Sequence, residues 1–312
     1  MASLLTLTLN PSIDVSTSVR HLEPIRKLRC GAVQRDPGGG GINVARVVRR
    51  LGRDVVAVYP TGGLIGALLR KLTDAEGVQS RTVAIAEETR EDFTVFDEAS
   101  GEQYRFVLPG PRLSEAEWRS CLQTISAHDG ELAFIVASGS LPPGVPPDFF
   151  GALAQIAKEK GAKLVIDSTK PVLQAALKRG VHLIKPNLRE MRDLMDAPLA
   201  TKPEWMEACR QLIASGGAEF VALTVGEGGA LLVGPDKAWM AEGLPVKLVS
   251  AVGAGDSFLG AYVWAICSGH APQEALRYGI AAGSAALLTP ATGLCRKEDV
   301  ERLLPQVEVK PV

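Results

Sequence analysis

The sequence predicts an α/β protein built on a mainly parallel sheet, covered by helices on both sides in a three-layer α/β/α sandwich, with a small β-sheet lid. Three observations carry this. Strand-like runs alternate with helix-like ones along most of the 312 residues. The strand-like runs are short and apolar at successive positions, the pattern of strands buried on both faces. Two stretches, residues 15–34 and 90–108, break the rhythm with Thr, Val, Arg and Phe and few helix signals, and are read as strands of the lid.

The elements follow in order. The apolar run 4–9 is too short for a signal peptide and has no basic region before it, so it is read as the first strand. Four glycines, residues 38–41, precede a helix over residues 42–48 that Gly52 closes. Residues 133–137 form a strand that ends in the Gly/Pro-rich turn 138–144, and residues 149–160 form a helix stopped by Gly161. Strands at 163–167, 182–185 and 220–225 alternate with helices at 172–179 and 204–215. The polar residues Asp167, Lys185 and Thr224 fall at the C-terminal ends of these strands, where parallel sheets bind their ligands. No linker, repeat or low-complexity tract divides the chain. Both lid stretches lie between elements of the main rhythm, so residues 1–312 are read as one domain.

Composition narrows the function. The 34 basic and 35 acidic residues nearly cancel, which does not call for nucleic acid or an anionic membrane. No run approaches the ~20 apolar residues of a membrane helix. The 5 cysteines are odd in number, widely spaced and free of C-x-x-C pairs, so they are read as free thiols in a reducing cytoplasm. His21, His128, His182 and His270 show no metal spacing. There is no P-loop, no strand–G-x-G-x-x-G–helix opening and no nucleophile elbow.

What remains is a set of turns suited to anions and sugars. Gly253, Ala254 and Gly255 permit a sharp turn into a helix beginning near Phe258, with backbone N–H groups and the positive end of the helix dipole converging on one point. Asp256 stands at the rim of that anion site, placed to take a proton from an attacking nucleophile; an ordinary N-cap is the alternative reading. The helix N-terminus is expected to lower the pKa of Asp256 and make it a weak base, so that proton transfer comes late, once the hydroxyl has become acidic. The glycines at 38–41 let a ligand approach the backbone, with Asn43 able to exchange hydrogen bonds with sugar hydroxyls. Asp14, after the first strand, can accept from vicinal hydroxyls or cap a turn. Lys27, Arg29 and Arg90 suit a phosphate on the substrate. Asn187 and Glu190 share a helical face and can hold Mg2+ through waters. Residues 224–229 make a tight turn able to cradle nucleotide phosphates, or a plain hairpin.

The ordered set of segments 38–43, 138–144, 185–190, 224–229 and 252–257 resembles the pfkB (ribokinase-like) carbohydrate kinase family over nearly the whole chain. Segments 6–12, 27–30 and 100–106 are most similar to the bacterial 6-phosphofructokinase branch of the isozyme 2 type, with 1-phosphofructokinases and tagatose-6-phosphate kinases as near relatives. The resemblance implies a ribokinase-like fold and ATP-dependent phosphorylation of fructose 6-phosphate to fructose 1,6-bisphosphate. It implies Asp256 as catalytic base, with Gly253, Ala254 and Gly255 as the anion hole. Asp14, Gly39, Gly40, Asn43 and Ser140 would hold the sugar, and Lys27, Arg29 and Arg90 its phosphate. Lys185, Asn187, Thr224, Gly226, Gly229 and Ser284 would bind ATP. Asn187 with Glu190 would position Mg2+, and Ser250, Val252 and Ala286 would bind K+. Lid strands of two subunits would pair in a homodimer. A nicotinamide-dependent oxidoreductase and a non-catalytic sugar-phosphate sensor are the rival readings.

Overall fold

The computed structural model describes residues 3–312. Its elements are β1 (Ser3–Leu7), β2 (Ser12–Val19), β3 (Gln34–Gly38), α1 (Gly40–Arg50), β4 (Val56–Thr61), α2 (Gly63–Ala75), β5 (Gln79–Ala84), β6 (Arg90–Asp97), β7 (Gln103–Phe106), α3 (Glu115–Ser126) and β8 (Leu132–Ser138). There follow α4 (Phe149–Glu159), β9 (Lys163–Asp167), α5 (Lys170–Leu177), β10 (Val181–Ile184), α6 (Leu188–Met195), α7 (Lys202–Ala214), β11 (Ala218–Thr224), β12 (Ala230–Val233) and β13 (Ala238–Ala241). The chain closes with α8 (Ala254–Cys267), α9 (Pro272–Ala286), α10 (Lys297–Leu303) and β14 (Val309–Pro311).

Ten strands form the large sheet, in the order β14-β13-β12-β11-β10-β9-β8-β1-β4-β5. From β5 to β11 all pairings are parallel. The last three strands are added antiparallel. Successive side chains of one strand enter different cores, as the two-residue strand period requires. In β8, Phe134 and Val136 pack with α1, α8 and α9, while Ile135 and Ala137 pack on the opposite face with α3 and α4. Leu4 and Leu5 divide in the same way. This double burial is why the strands read as continuous apolar runs.

The lid is a separate four-stranded sheet in the order β3-β2-β6-β7. β2 pairs antiparallel with β3 and parallel with β6, which lines up Asp36, Asp14 and Asp92 across three strands. The expected lid boundaries need correction. β2 begins at Ser12 and ends at Val19, and residues 20–33 form no strand before β3 opens at Gln34. Two features break this stretch: Pro24 offers no ladder donor, and Ile25 takes a left-handed φ of 66°. Just before them, the Leu22 amide is drawn off to Asp97 Oδ2 at 3.0 Å. The glycine run is not a free loop either. Gly38 ends β3, Gly39 caps α1, and Gly40 and Gly41 are its first two residues.

Candidate active site

β1 lies between β4 and β8; the chain leaves β1 toward β4 and leaves β8 the other way, toward β9, which opens a crevice at the C-terminal ends of β1 and β8. α1 and α8 both begin there. Neither has a side-chain cap: Gly39 (φ 106°) and Gly253 (φ 77°) hold the capping positions in conformations that L side chains rarely adopt. Thr8 Oγ1 takes the Ile42 amide at 2.8 Å, and the amides of Gly40 and Gly41 in α1 and of Gly255 and Asp256 in α8 are left for a ligand. The two helices pack closely because Gly260 faces Val47; a Cβ there would lie 2.7 Å from the valine.

Asp256 sits in the first turn of α8. Its Oδ2 accepts from Asn43 Nδ2 at 2.8 Å, joining the starts of α1 and α8. Behind it, Lys185 is buried and pairs with Asp167 at 3.1 Å. A Cβ added to Gly255 would lie 3.4 Å from the Lys185 ammonium, so that cation borders the anion turn. Burial of the Asp256 carboxyl, reinforced by the charge of Asp167, raises its pKa to about 6, against the opposing pull of Asn43 and Lys185. This overturns the expected lowering by the helix terminus: loss of water and a neighbouring like charge outweigh the dipole. Burial disfavours the charged form of Lys185, but Asp167, Glu190 and Asp256 outweigh it and lift its pKa above the ordinary lysine value.

Toward the lid, Asp14 accepts from Ser12 Oγ and from Thr292 Oγ1, both at 2.9 Å. Asn10 Nδ2 donates to Ser140 Oγ at 3.1 Å, which brings the end of β1 to the turn after β8. Gly40 is pressed against Ser138, where a Cβ would overlap the Ser138 hydroxyl. Arg90 donates to the Asn10 carbonyl at 3.2 Å and to that of Leu108 at 2.9 Å, and pairs with Asp92 at 3.2 Å. Its buried Nε has no partner among the described residues, which leaves a donor for a ligand. Lys27 and Arg29 lie apart, exposed on the 20–33 stretch and without ion pairs among the described residues.

On the other side of Asp256, Asn187 and Thr224 form an isolated parallel bridge that puts two expected nucleotide-binding residues side by side. Asn187 and Glu190 make a reciprocal capping box. Glu190 N donates to Asn187 Oδ1, and Asn187 N donates to Glu190 Oε2, each at 2.9 Å. The expected pairing is thus real but local, and it leaves Glu190 Oε1 outside the cap. Burial, aided by Asp167, raises the pKa of Glu190. Among the described residues no cluster of three or more His, Cys, Asp or Glu is arranged to hold a metal directly. Gly226 (φ 63°) and Gly229 (φ 87°) shape the turn after β11, and a Cβ on Gly229 would overlap the Ala241 carbonyl. Ser284 accepts from the Leu244 amide at 3.4 Å and ties down the segment before α8. Ser250 Oγ donates to the Ala291 carbonyl at 3.3 Å and accepts from the Val252 amide at 3.2 Å. The Ala286 carbonyl already accepts two bonds from Thr289, at 3.1 Å from the amide and 2.8 Å from the hydroxyl.

Sequence reasoning singled out Asp167 only as a polar residue at a strand end and gave no role to Thr292, Asn10 or Arg46. Thr292 and Asn10 act through partners distant in sequence, whereas Arg46 stands three residues from Asn43 on α1, a spacing that marks a shared helical face.

An anion turn with a carboxylate base at its rim suits the transfer of a phosphoryl group to a hydroxyl, and the acceptors and amides on the lid side suit a polyol. The molecule is accordingly a phosphotransferase of the carbohydrate kinase class. The chain belongs to the pfkB family of carbohydrate kinases, whose model matches residues 8–299. It is 44% identical over 299 residues to the ATP-dependent 6-phosphofructokinase isozyme 2 of Mycobacterium tuberculosis, covering 96% of this chain and 88% of that protein. It is 40% identical over 305 residues to the enzyme of the same name from Escherichia coli, covering 97% and 98%. The fold is ribokinase-like. The crystal structure of phosphofructokinase-2 from Escherichia coli in complex with potassium superposes with a TM-score of 0.94 at 39% identity, covering 98% of this chain and 99% of that one.

Proposed function

We propose that this chain transfers the γ-phosphoryl group of ATP to fructose 6-phosphate, giving fructose 1,6-bisphosphate and ADP. The observation that carries the reading is Asp256: a carboxylate in the first turn of α8, held by Asn43, beside free helix N–H groups and the Lys185 ammonium. The sugar's primary hydroxyl oxygen bonds to the γ-phosphorus, the bond from that phosphorus to the bridging oxygen breaks, and the hydroxyl proton passes to Asp256. With a pKa of about 6, Asp256 is mostly ionised at neutral pH and more basic than an ordinary aspartate. Transfer of this kind needs positioning and charge stabilisation more than covalent help, and each donor of the anion turn contributes about 3 kcal/mol to the transition state.

Asp14, Gly39, Gly40, Asn43 and Ser140 hold the sugar in this reading. Arg90 receives its phosphate, with Lys27 and Arg29 as further cations of the lid. Lys185, Thr224 and the 226–229 turn bind ATP. The hard oxygen donors of Glu190 and Asn187 fit Mg2+ held through its waters, and when bound it neutralises phosphate charge. Potassium fits the Ser250–Val252 segment better than Ala286, whose carbonyl is already doubly bonded. We read residues 1–312 as one kinase domain, working as a homodimer through the lid. A cytoplasmic location agrees with the five free cysteines. The second reading, a kinase for fructose 1-phosphate or tagatose 6-phosphate, differs only in sugar and phosphate position. The test is to incubate the protein with ATP, Mg2+ and a panel of sugars and sugar phosphates, follow ADP release, and locate the new ester by phosphorus NMR. Preference for another panel member overturns the named substrate.

A further inference from the structure

Arg46 is among the largest fully buried side chains of the described residues and has been assigned no part in the reaction. It lies one turn after Asn43 on α1. Its Nη1 donates to Asn43 Oδ1 at 3.2 Å, while Asn43 Nδ2 donates to Asp256 Oδ2 at 2.8 Å. A guanidinium can only donate and a carboxylate can only accept. Placed between the two, the Asn43 amide has one orientation that satisfies both. If it turned over, Asn43 Oδ1 would face a carboxylate oxygen and Nδ2 would face a guanidinium. The geometry points to Arg46 as a positioning residue: through Asn43 it keeps an N–H aimed at the base Asp256. This rests on the kinase reading above.

The other contacts of Arg46 allow its effect on Asn43 to be separated from a general hold on the fold. It donates to the carbonyls of Pro37 at 3.0 Å and Thr292 at 3.2 Å, and pairs with Glu76 at 2.8 Å and Asp36 at 3.7 Å. Arg50 shares one of these partners and holds the neighbours of another. It also binds Glu76, and it donates to Gly293 at 2.5 Å and Cys295 at 3.3 Å, holding the segment that carries Thr292. Arg50 makes no bond to Asn43. Loss of Arg46 therefore frees the amide while the 292–295 segment, and with it Asp14, stays held. The charged groups facing Asp256 from the remaining elements are Asp167 and Lys185 from the sheet and Asp14 from the lid, and none changes in such a variant.

The experiment compares wild type, Arg46→Met, Arg46→Lys and the double variant Arg46→Met with Glu76→Gln. The double variant removes both charges of the 2.8 Å pair, a change that cores often tolerate, and Arg50, though it loses Glu76, keeps its bonds to the Gly293 and Cys295 carbonyls. For each, folding is checked by circular dichroism, and kcat and KM for fructose 6-phosphate are measured from pH 5 to 8. We expect kcat to fall about tenfold in the Met variants with KM within about threefold of wild type. The acid limb of kcat should move up by about one pH unit, because the ionised base loses an oriented donor. Arg46→Lys should recover part of both. Folded Met variants with wild-type kcat and acid limb would overturn the assignment. So would failure of both Met variants to fold, which would make Arg46 a structural residue. Absence of wild-type turnover on fructose 6-phosphate would instead overturn the substrate reading beneath it.

Discussion

The side-chain amide of Asn43 donates to Asp256 Oδ2 at 2.8 Å, tying the first turn of α1 to the first turn of α8. This one bond joins the residue expected to face the sugar to the residue expected to take its proton. It also means that base and sugar site move together if either helix shifts.

Replacing Asp256 by Asn keeps the shape and the acceptor toward Asn43 but removes the base. Turnover should fall at least about 10²-fold, with KM for both substrates little changed. Steady-state kinetics on the purified variant decide it, and turnover within threefold of wild type would remove Asp256 from the mechanism.

The pKa of about 6 at Asp256 sets a pH dependence with two signs. Catalysis needs the ionised form, so kcat should decline as pH falls through about 6. Stability runs the other way. The folded pKa is raised, so the native state binds the proton more tightly than the unfolded chain. The stabilisation is complete below the unfolded pKa and is lost as pH rises through about 6. At pH 7.5 the Asp256→Asn protein should then be more stable than wild type, by about 1–3 kcal/mol. Urea denaturation at pH 5 and pH 7.5 measures this, and equal stability of the two proteins at pH 7.5 would contradict it.

Glu190→Gln should raise the free Mg2+ needed for half-maximal rate. A glutamine can still close the capping box with Asn187, so α6 should start as before and the change would report the lost charge. A metal titration at saturating ATP checks it; an unchanged midpoint would reduce the pair to a helix cap.

Arg90→Ala should raise KM for fructose 6-phosphate about tenfold or more, from loss of charge-assisted bonds to the phosphate. Activity on free fructose, which has no phosphate, should hardly change. Equal losses on both substrates would mean that Arg90 only braces Asn10, Asp92 and Leu108.

The lid leaves Phe93, Phe96, Tyr104 and Phe106 well exposed, and Phe93 pairs directly with Phe106 across β6 and β7. Aromatic side chains gathered on one small sheet need cover, and the proposed homodimer would provide it. Phe106→Asp should yield a monomer in sedimentation at micromolar concentration. A wild-type monomer under the same conditions would refute the dimer.

Much of the molecule was legible from the chain alone. Apolar runs at 133–137 and 220–225 marked buried parallel strands. Gly253 to Gly255 before an apolar helix marked an anion turn, and the spacing of Asn187 and Glu190 marked a shared face. Each signal depends on residues within one helical turn or one strand, so neighbours in sequence are enough to produce it. Tertiary structure alone decided the protonation behaviour of Asp256. Local reasoning put it beside a helix N-terminus and expected a lowered pKa. The sheet brings Asp167 from β9 near the carboxyl and the surrounding protein strips it of water, and the pKa rises to about 6. The links of Thr292 to Asp14 and of Arg46 to Thr292 were hidden in the same way, as was the division between Arg90 at the crevice and the exposed Lys27 and Arg29. Coulombic interaction and desolvation depend on distance and burial in space. Those are set by which strands become neighbours in the sheet, and no local pattern of residues encodes them.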